Sequence, residues 1–190
     1  MLRDILSRTR RNHALEHATI HVLSEHHRGF SAQGNSTPQG FFLNIYGNLG
    51  DEAIIAAVEE AYTRLKKGEH HLAIHPNCGT VLLTTATMAT LAAQMAFGLE
   101  QRRQKRGGTD ASVFINGLPG AILAALVSLI VSRPVGMALQ AKVTTDAELG
   151  NLQVRSVRRI PPSAVTRLFQ FLLGQGNAVK VNAYQVETME

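Results

Sequence analysis

Hydrophobic and polar positions along the chain fall into three kinds of pattern. Near the start, Leu15, Ile20 and Leu23 recur at helical spacing in a run without Gly or Pro, predicting a helix from about Asp4 to His27 that Arg28-Gly29 can end. Phe30 to Gln33 and Gly40 to Tyr46 read as strands around the turn-rich Gly34-Asn-Ser-Thr-Pro-Gln-Gly40. In the second strand Phe41, Leu43 and Ile45 alternate with Phe42, Asn44 and Tyr46, so one face is apolar and the other mixed. Ile54, Ile55, Val58, Ala61, Tyr62 and Leu65 predict a second helix, with Asp51 as N-cap and Gly68 as C-cap. His71 to Ile74 is a short strand candidate. Toward the end, Leu152 to Val157 is strand-like, and Ser163 can cap a helix carrying Val165, Leu168, Phe169 and Leu172 to Gly174. Val179, Val181 and Ala183 alternate with Lys180, Asn182 and Tyr184 as a last strand, whereas residues 134 to 150 carry no distinct pattern.

The third pattern is continuous. Thr80 to Leu99 has no charged residue over about the length that spans a bilayer, and Ala111 to Ser132 repeats this after a short polar connection. Gly117, Gly120, Ala121, Ala124 and Ala125 suit close helix packing in lipid. The expected architecture is α+β with an inserted transmembrane helical hairpin. Its parts are an α+β lobe over residues 1–79, the hairpin over 80–132, and a C-terminal β-α-β lobe over 133–190 packing on the first.

Composition adds little. The 190 residues carry a formal charge of +5, but Lys and Arg are dispersed and Trp is absent, so no nucleic-acid partner is expected. One cysteine excludes an internal disulfide. The N-terminus, Met-Leu-Arg-Asp-Ile-Leu-Ser-Arg, lacks the apolar run of a signal peptide. Together with a thiolate ligand, that places the polar lobes on the cytoplasmic side of a bacterial inner or thylakoid-type membrane.

The chemistry sits in the first helix. His13, Glu16 and His17 form H-x-x-E-H; residues i and i+4 share a helix face, so both imidazoles can grip one metal ion. Glu16 borders that face and can take a proton from the attacking water. Two histidines need a third protein ligand. Cys78, on a turn shaped by Pro76 and Gly79, is the first choice and His75 the second. His75 can alternatively donate a hydrogen bond to substrate or to a developing oxyanion. His21 continues the series, but drift turns it about 80° from His13, which makes it a supporting residue.

These motifs carry a resemblance. HALEH, then GFFLNIYGNLGDEAIIAAVEEAYTRL, then NCGT are similar in order to segments of S-ribosylhomocysteine lyase, of the LuxS/mitochondrial-processing-peptidase-like metallohydrolase fold. The match covers roughly residues 13 to 80. It implies that fold, with His13, His17 and Cys78 as metal ligands and Glu16 as the base-like residue. That family uses a second, proton-shuttling cysteine where Thr37 stands here, so the lyase reaction is not expected to carry over. The whole chain looks more like a bacterial membrane family marked by HALEHAT and HPNCGT, with no established activity.

The resulting expectation is a membrane-anchored zinc hydrolase of peptidase type, with ferrous iron as the other metal. Its partners are a lipid bilayer, a peptide or small amide substrate and a second copy of the chain. The rival is a non-catalytic metal-binding membrane protein with a structural role.

Overall fold

Alternation in Gly40–Tyr46 sets the core. The computed structural model, which describes residues 1–104, 111–172 and 181–190, buries Phe41, Leu43 and Ile45 and leaves Phe42, Asn44 and Tyr46 half-buried. In chain order the elements are α1 (Leu2–His26), β1 (Ser31–Thr37), β2 (Gly40–Tyr46), α2 (Asp51–Lys66), a 3-10 turn (His70–Ala73), α3 (Gly79–Arg103), α4 (Ala111–Leu139), a π turn (Gln140–Thr144), β3 (Gln153–Ile160), α5 (Ala164–Leu172) and β4 (Val181–Met189). They form two units: Met1–His75 with Ala141–Glu190, and Pro76–Gln140.

The first unit is α+β. Its four strands are antiparallel in the order β1-β2-β4-β3. Because β2 pairs with β4, the C-terminal strands complete the sheet begun by the N-terminal ones, and residues 76–140 are an insertion in the sequence of that unit. Leu15 and Leu23 of α1 and Ile54, Val58 and Leu65 of α2 are buried with Phe41, Leu43, Ile45, Tyr184 and Val186 in one core. Each such side chain contributes about 1.5–3 kcal/mol by leaving water. Asn12, buried on α1, donates to the Thr37 carbonyl (2.8 Å) and accepts from the Thr188 hydroxyl (2.8 Å), tying α1 to two strands.

Several expectations are corrected. The turn-rich run is mostly strand: β1 continues to Thr37 and the reversal needs only Pro38-Gln39. Gly40 follows at φ +140°, where a Cβ would collide with the Val186 carbonyl. Asp51 is not the cap, which is Gly50; its carboxylate instead accepts from the Tyr184 hydroxyl (2.7 Å). His71 to Ile74 is a 3-10 turn rather than a strand, because its carbonyls are taken by histidines of α1 instead of a neighbouring strand. The patternless stretch after Arg133 begins as helix: α4 runs through Pro134 to Leu139, the ring costing one intrahelical bond. Lys105 and Arg106 of the polar connection, Gly174 at the expected helix end, and Val179 and Lys180 lie outside the described residues.

In the second unit α3 and α4 pack as a hairpin. The buried positions of α4, namely Val113, Gly117, Ala121, Ser128, Ser132 and Gly136, fall on one small-residue stripe. A Cβ at Gly136 would lie 2.9 Å from the Val81 Cα, and one at Gly117 would lie 2.7 Å from the Phe97 ring, so the glycines set how close the helices come. Thr85 and Ser132 hydroxyls bond across the pair at 2.8 Å. Both helices are long and apolar enough to cross a membrane, and only 6% and 22% of their apolar windows are buried.

Candidate metal centre

The middle of α1 carries the H-x-x-E-H residues on its inward side. His17 is 1% exposed and Glu16 4%, while His13 is half-buried. Helical spacing stacks the two imidazoles, with ring centroids 4.3 Å apart. Each ring is oriented by a backbone carbonyl. His13 Nδ1 lies 2.9 Å from the Thr144 carbonyl and His17 Nδ1 lies 2.8 Å from the Ala73 carbonyl. A carbonyl can only accept, so both rings carry a proton on Nδ1, which leaves Nε2 as the coordinating nitrogen of the neutral ring. That is how ligating histidines are held: one nitrogen fixed by an acceptor, the other presented to the ion.

Glu16 turns toward β1. Its Oε2 accepts from the Ser36 hydroxyl at 2.5 Å. Its other oxygen occupies space that only a glycine leaves, since a Cβ on Gly34 would sit 1.9 Å from Oε1. Burial pushes the Glu16 pKa above the usual carboxylate value, opposed by the Ser36 bond and by charge on His13.

His21 and His75 complete a row of imidazoles in this unit. His21 Nε2 donates to the Ile74 carbonyl (2.8 Å), so α1 holds two successive carbonyls, Ala73 through His17 and Ile74 through His21. His21 is therefore a support, as its position on the helix implies. The His75 ring centroid lies 5.8 Å from that of His17 and 5.1 Å from that of His21. Burial, and then the neighbouring His17 and His21, bring the His75 pKa down to about 4, so its imidazole is neutral across the physiological range.

Cys78 lies in the second unit, as N-cap of α3, where its Sγ accepts from the Thr80 amide at 3.4 Å. A helix N-terminus favours negative charge, which suits a thiolate ligand. Thr37, at the position of the lyase family's shuttling cysteine, has its hydroxyl engaged in the hairpin: it donates to the Gly40 carbonyl at 3.1 Å and accepts from the Gln39 amide at 3.3 Å. His13 and His17 of the first unit are two imidazoles and Cys78 of the second a thiol, each a donor type that suits a metal ion.

Sequence reasoning missed Gly34, Ser36 and the carbonyls of Ala73 and Thr144. The first two were hidden inside an assigned turn, although strand alternation from Ala32 onward puts both on the face that carries Phe41 and Leu43. Backbone carbonyls leave no mark on sequence at all.

A family model described as a domain of unknown function, DUF6391, matches residues 8–157. An uncharacterized protein of Picosynechococcus sp. is 42% identical over 101 residues, 46% of this chain and 48% of the relative. The match thus spans about half the length of that relative. No solved structure matches.

Proposed function

The chain belongs to the DUF6391 family, a domain of unknown function, and from its residues we propose a membrane-anchored, zinc-dependent hydrolase of peptidase type. His13, His17 and Cys78 are its ligands, Glu16 its general base and His75 its oxyanion donor. The observation that carries the reading is the double anchoring of His13 and His17 by carbonyls beside a buried Glu16 whose carboxyl is oriented by Ser36. Cys78 follows His75 by three residues, and a chain advances at most about 3.6 Å per residue. Its Cα is therefore tethered within about 11 Å of the His75 Cα. Ordered resemblance of residues 13–80 to a His-His-Cys metalloenzyme family adds support for the same ligands.

A bound zinc ion would supply Lewis acidity at the scissile carbonyl and acidify the attacking water. Glu16 takes the proton of that water and passes it to the leaving amine, while Ser36 keeps its second oxygen oriented. His75, as a neutral imidazole, donates a hydrogen bond to the carbonyl oxygen as charge develops there. With the Thr37 hydroxyl tied into its turn, nothing replaces the thiol that sugar-carbon proton shuttling needs, so S-ribosylhomocysteine is not a substrate.

One observation favours the rival reading: the same neutral His75 is a competent fourth ligand, and four protein ligands make a closed, structural site. Glu16→Gln separates the two. The substitution is expected to leave zinc content unchanged by elemental analysis and to reduce hydrolysis of peptide amides at least about 100-fold. Turnover unaffected by Glu16→Gln, or a metal held by four protein ligands, would leave only the structural role.

The hairpin is proposed as the anchor, supported by two apolar helices whose outward residues, among them Leu83, Met95, Ile115, Ile130 and Val131, are exposed. A soluble core would bury them. The protein is expected to stay in the pellet on alkaline carbonate extraction; release as a monodisperse, detergent-free species would overturn the anchor.

A further inference from the structure

Three apolar side chains of α5 are turned outward. Among its described side chains only Thr166 is buried, and that residue is polar. The Thr166 hydroxyl accepts from Asn44 Nδ2 at 3.3 Å and pairs with the Ser163 hydroxyl, while Ser163 caps the helix by accepting from the Thr166 amide. Asn44 is on the face of β2 opposite Phe41, Leu43 and Ile45, so α5 meets the sheet on the side away from the main core. Three apolar residues point the other way: Val165 is 63% exposed, Leu168 55% and Phe171 80%. Their spacing of three places them on one stripe.

Charge identifies what covers that stripe. Between Glu148 and Glu187 the sequence has five basic residues, Arg155, Arg158, Arg159, Arg167 and Lys180, and no acidic one. Arg158 pairs with Glu187, and Arg159 lies 3.7 Å from Asp51. Arg167, on α5 itself, is exposed beside the apolar stripe. Exposed Val, Leu and Phe on one side of a short helix, in a cationic segment without a carboxylate, match an anionic bilayer surface.

We propose that α5 is an interfacial membrane helix, which seats Val165, Leu168 and Phe171 at the headgroup–acyl boundary of an anionic leaflet. The proposal rests on the proposed bilayer location of the chain but not on the metal chemistry.

The chain has no tryptophan, so a single introduced one is a clean reporter. The full-length Phe171→Trp variant in phosphatidylcholine–phosphatidylglycerol vesicles is expected to show blue-shifted emission. Brominated acyl chains should quench it at least twofold more than the indole of Glu59→Trp, an exposed position on α2. Adding Leu168→Glu should return the emission to a water-like value. Leu123→Trp, in α4, reports the hairpin separately. Quenching in Leu123→Trp without quenching in Phe171→Trp would overturn the α5 proposal alone, and quenching in neither would overturn the anchor as well. Blue-shifted emission from Phe171→Trp that bromolipid leaves untouched, and that is lost when each nanodisc holds one copy, would assign the stripe to a second chain and also overturn the proposal.

Discussion

His17→Ala is expected to abolish stoichiometric zinc binding and to bring the melting temperature of the zinc-treated protein to that of the metal-free wild type or below. Two effects combine. His17 is 1% exposed, and its Nδ1 donates to the Ala73 carbonyl, so truncation leaves a cavity and an unpaired buried acceptor. Each costs roughly 1–3 kcal/mol. The larger effect is metal linkage. Zinc binding free energy is folding free energy, and it reaches about 10–16 kcal/mol in small structural sites. Elemental analysis with and without chelator separates the two, because only the second depends on metal in the wild type. Full zinc occupancy in His17→Ala would remove His17 from the ligand set. A chelator-insensitive wild type would show that the donor set holds no metal under those conditions.

Gly34→Ala is expected to destabilise the α+β unit by driving a methyl into the Glu16 carboxyl. The new Cβ would lie 1.9 Å from Glu16 Oε1 and 2.1 Å from its Cδ. The carboxylate cannot swing aside cheaply, since Ser36 holds its other oxygen and the residue is buried. Overpacking a rigid site costs typically about 1–3 kcal/mol, and loss of the Ser36 bond to a charged group adds about 1.5–3 kcal/mol. A double-mutant cycle tests the cause. In a Glu16→Ala background the methyl enters vacated space, so Gly34→Ala should then cost under about 0.5 kcal/mol in urea unfolding. An equal cost in both backgrounds would place the strain in the backbone of β1 rather than at Glu16.

The two substitutions probe sites of unequal legibility. His13, Glu16 and His17 were readable because helical spacing alone puts i and i+4 on one face, whatever else the chain does. Gly34 and Ser36 were not, because their role depends on β1 lying beside α1. A glycine in a turn-rich run is the ordinary sign of a reversal. The small residues of the hairpin were legible in part. Of the small residues read as a packing surface in sequence, the structure buries Gly117 and Ala121, half-buries Ala124 and Ala125 and exposes Gly120, and it extends the buried stripe to Ser128, Ser132 and Gly136. In the last strand the alternation of Val181 and Ala183 with Asn182 and Tyr184 left open which face meets the core, and Tyr184 and Val186 fill it. Pairing of Leu43 with Tyr184 and of Phe41 with Val186 fixes the parity that alternation leaves open.

What the sequence determined by itself were properties with a period or a length: the α1 face bearing His13 and His17, the alternation in β2, two apolar runs long enough for a bilayer, and a terminal segment able to complete the first sheet. What only the tertiary structure decided were partnerships between distant residues. It joined β4 to β2 across the inserted hairpin residues, gave the carbonyls of Ala73 and Thr144 to His17 and His13, fitted Glu16 against Gly34, and turned Val165, Leu168 and Phe171 of α5 outward. The physical reason is the same in each case. Periodicity is written by backbone geometry within a few residues, whereas a hydrogen-bond acceptor or a missing Cβ has meaning only once another part of the chain arrives beside it.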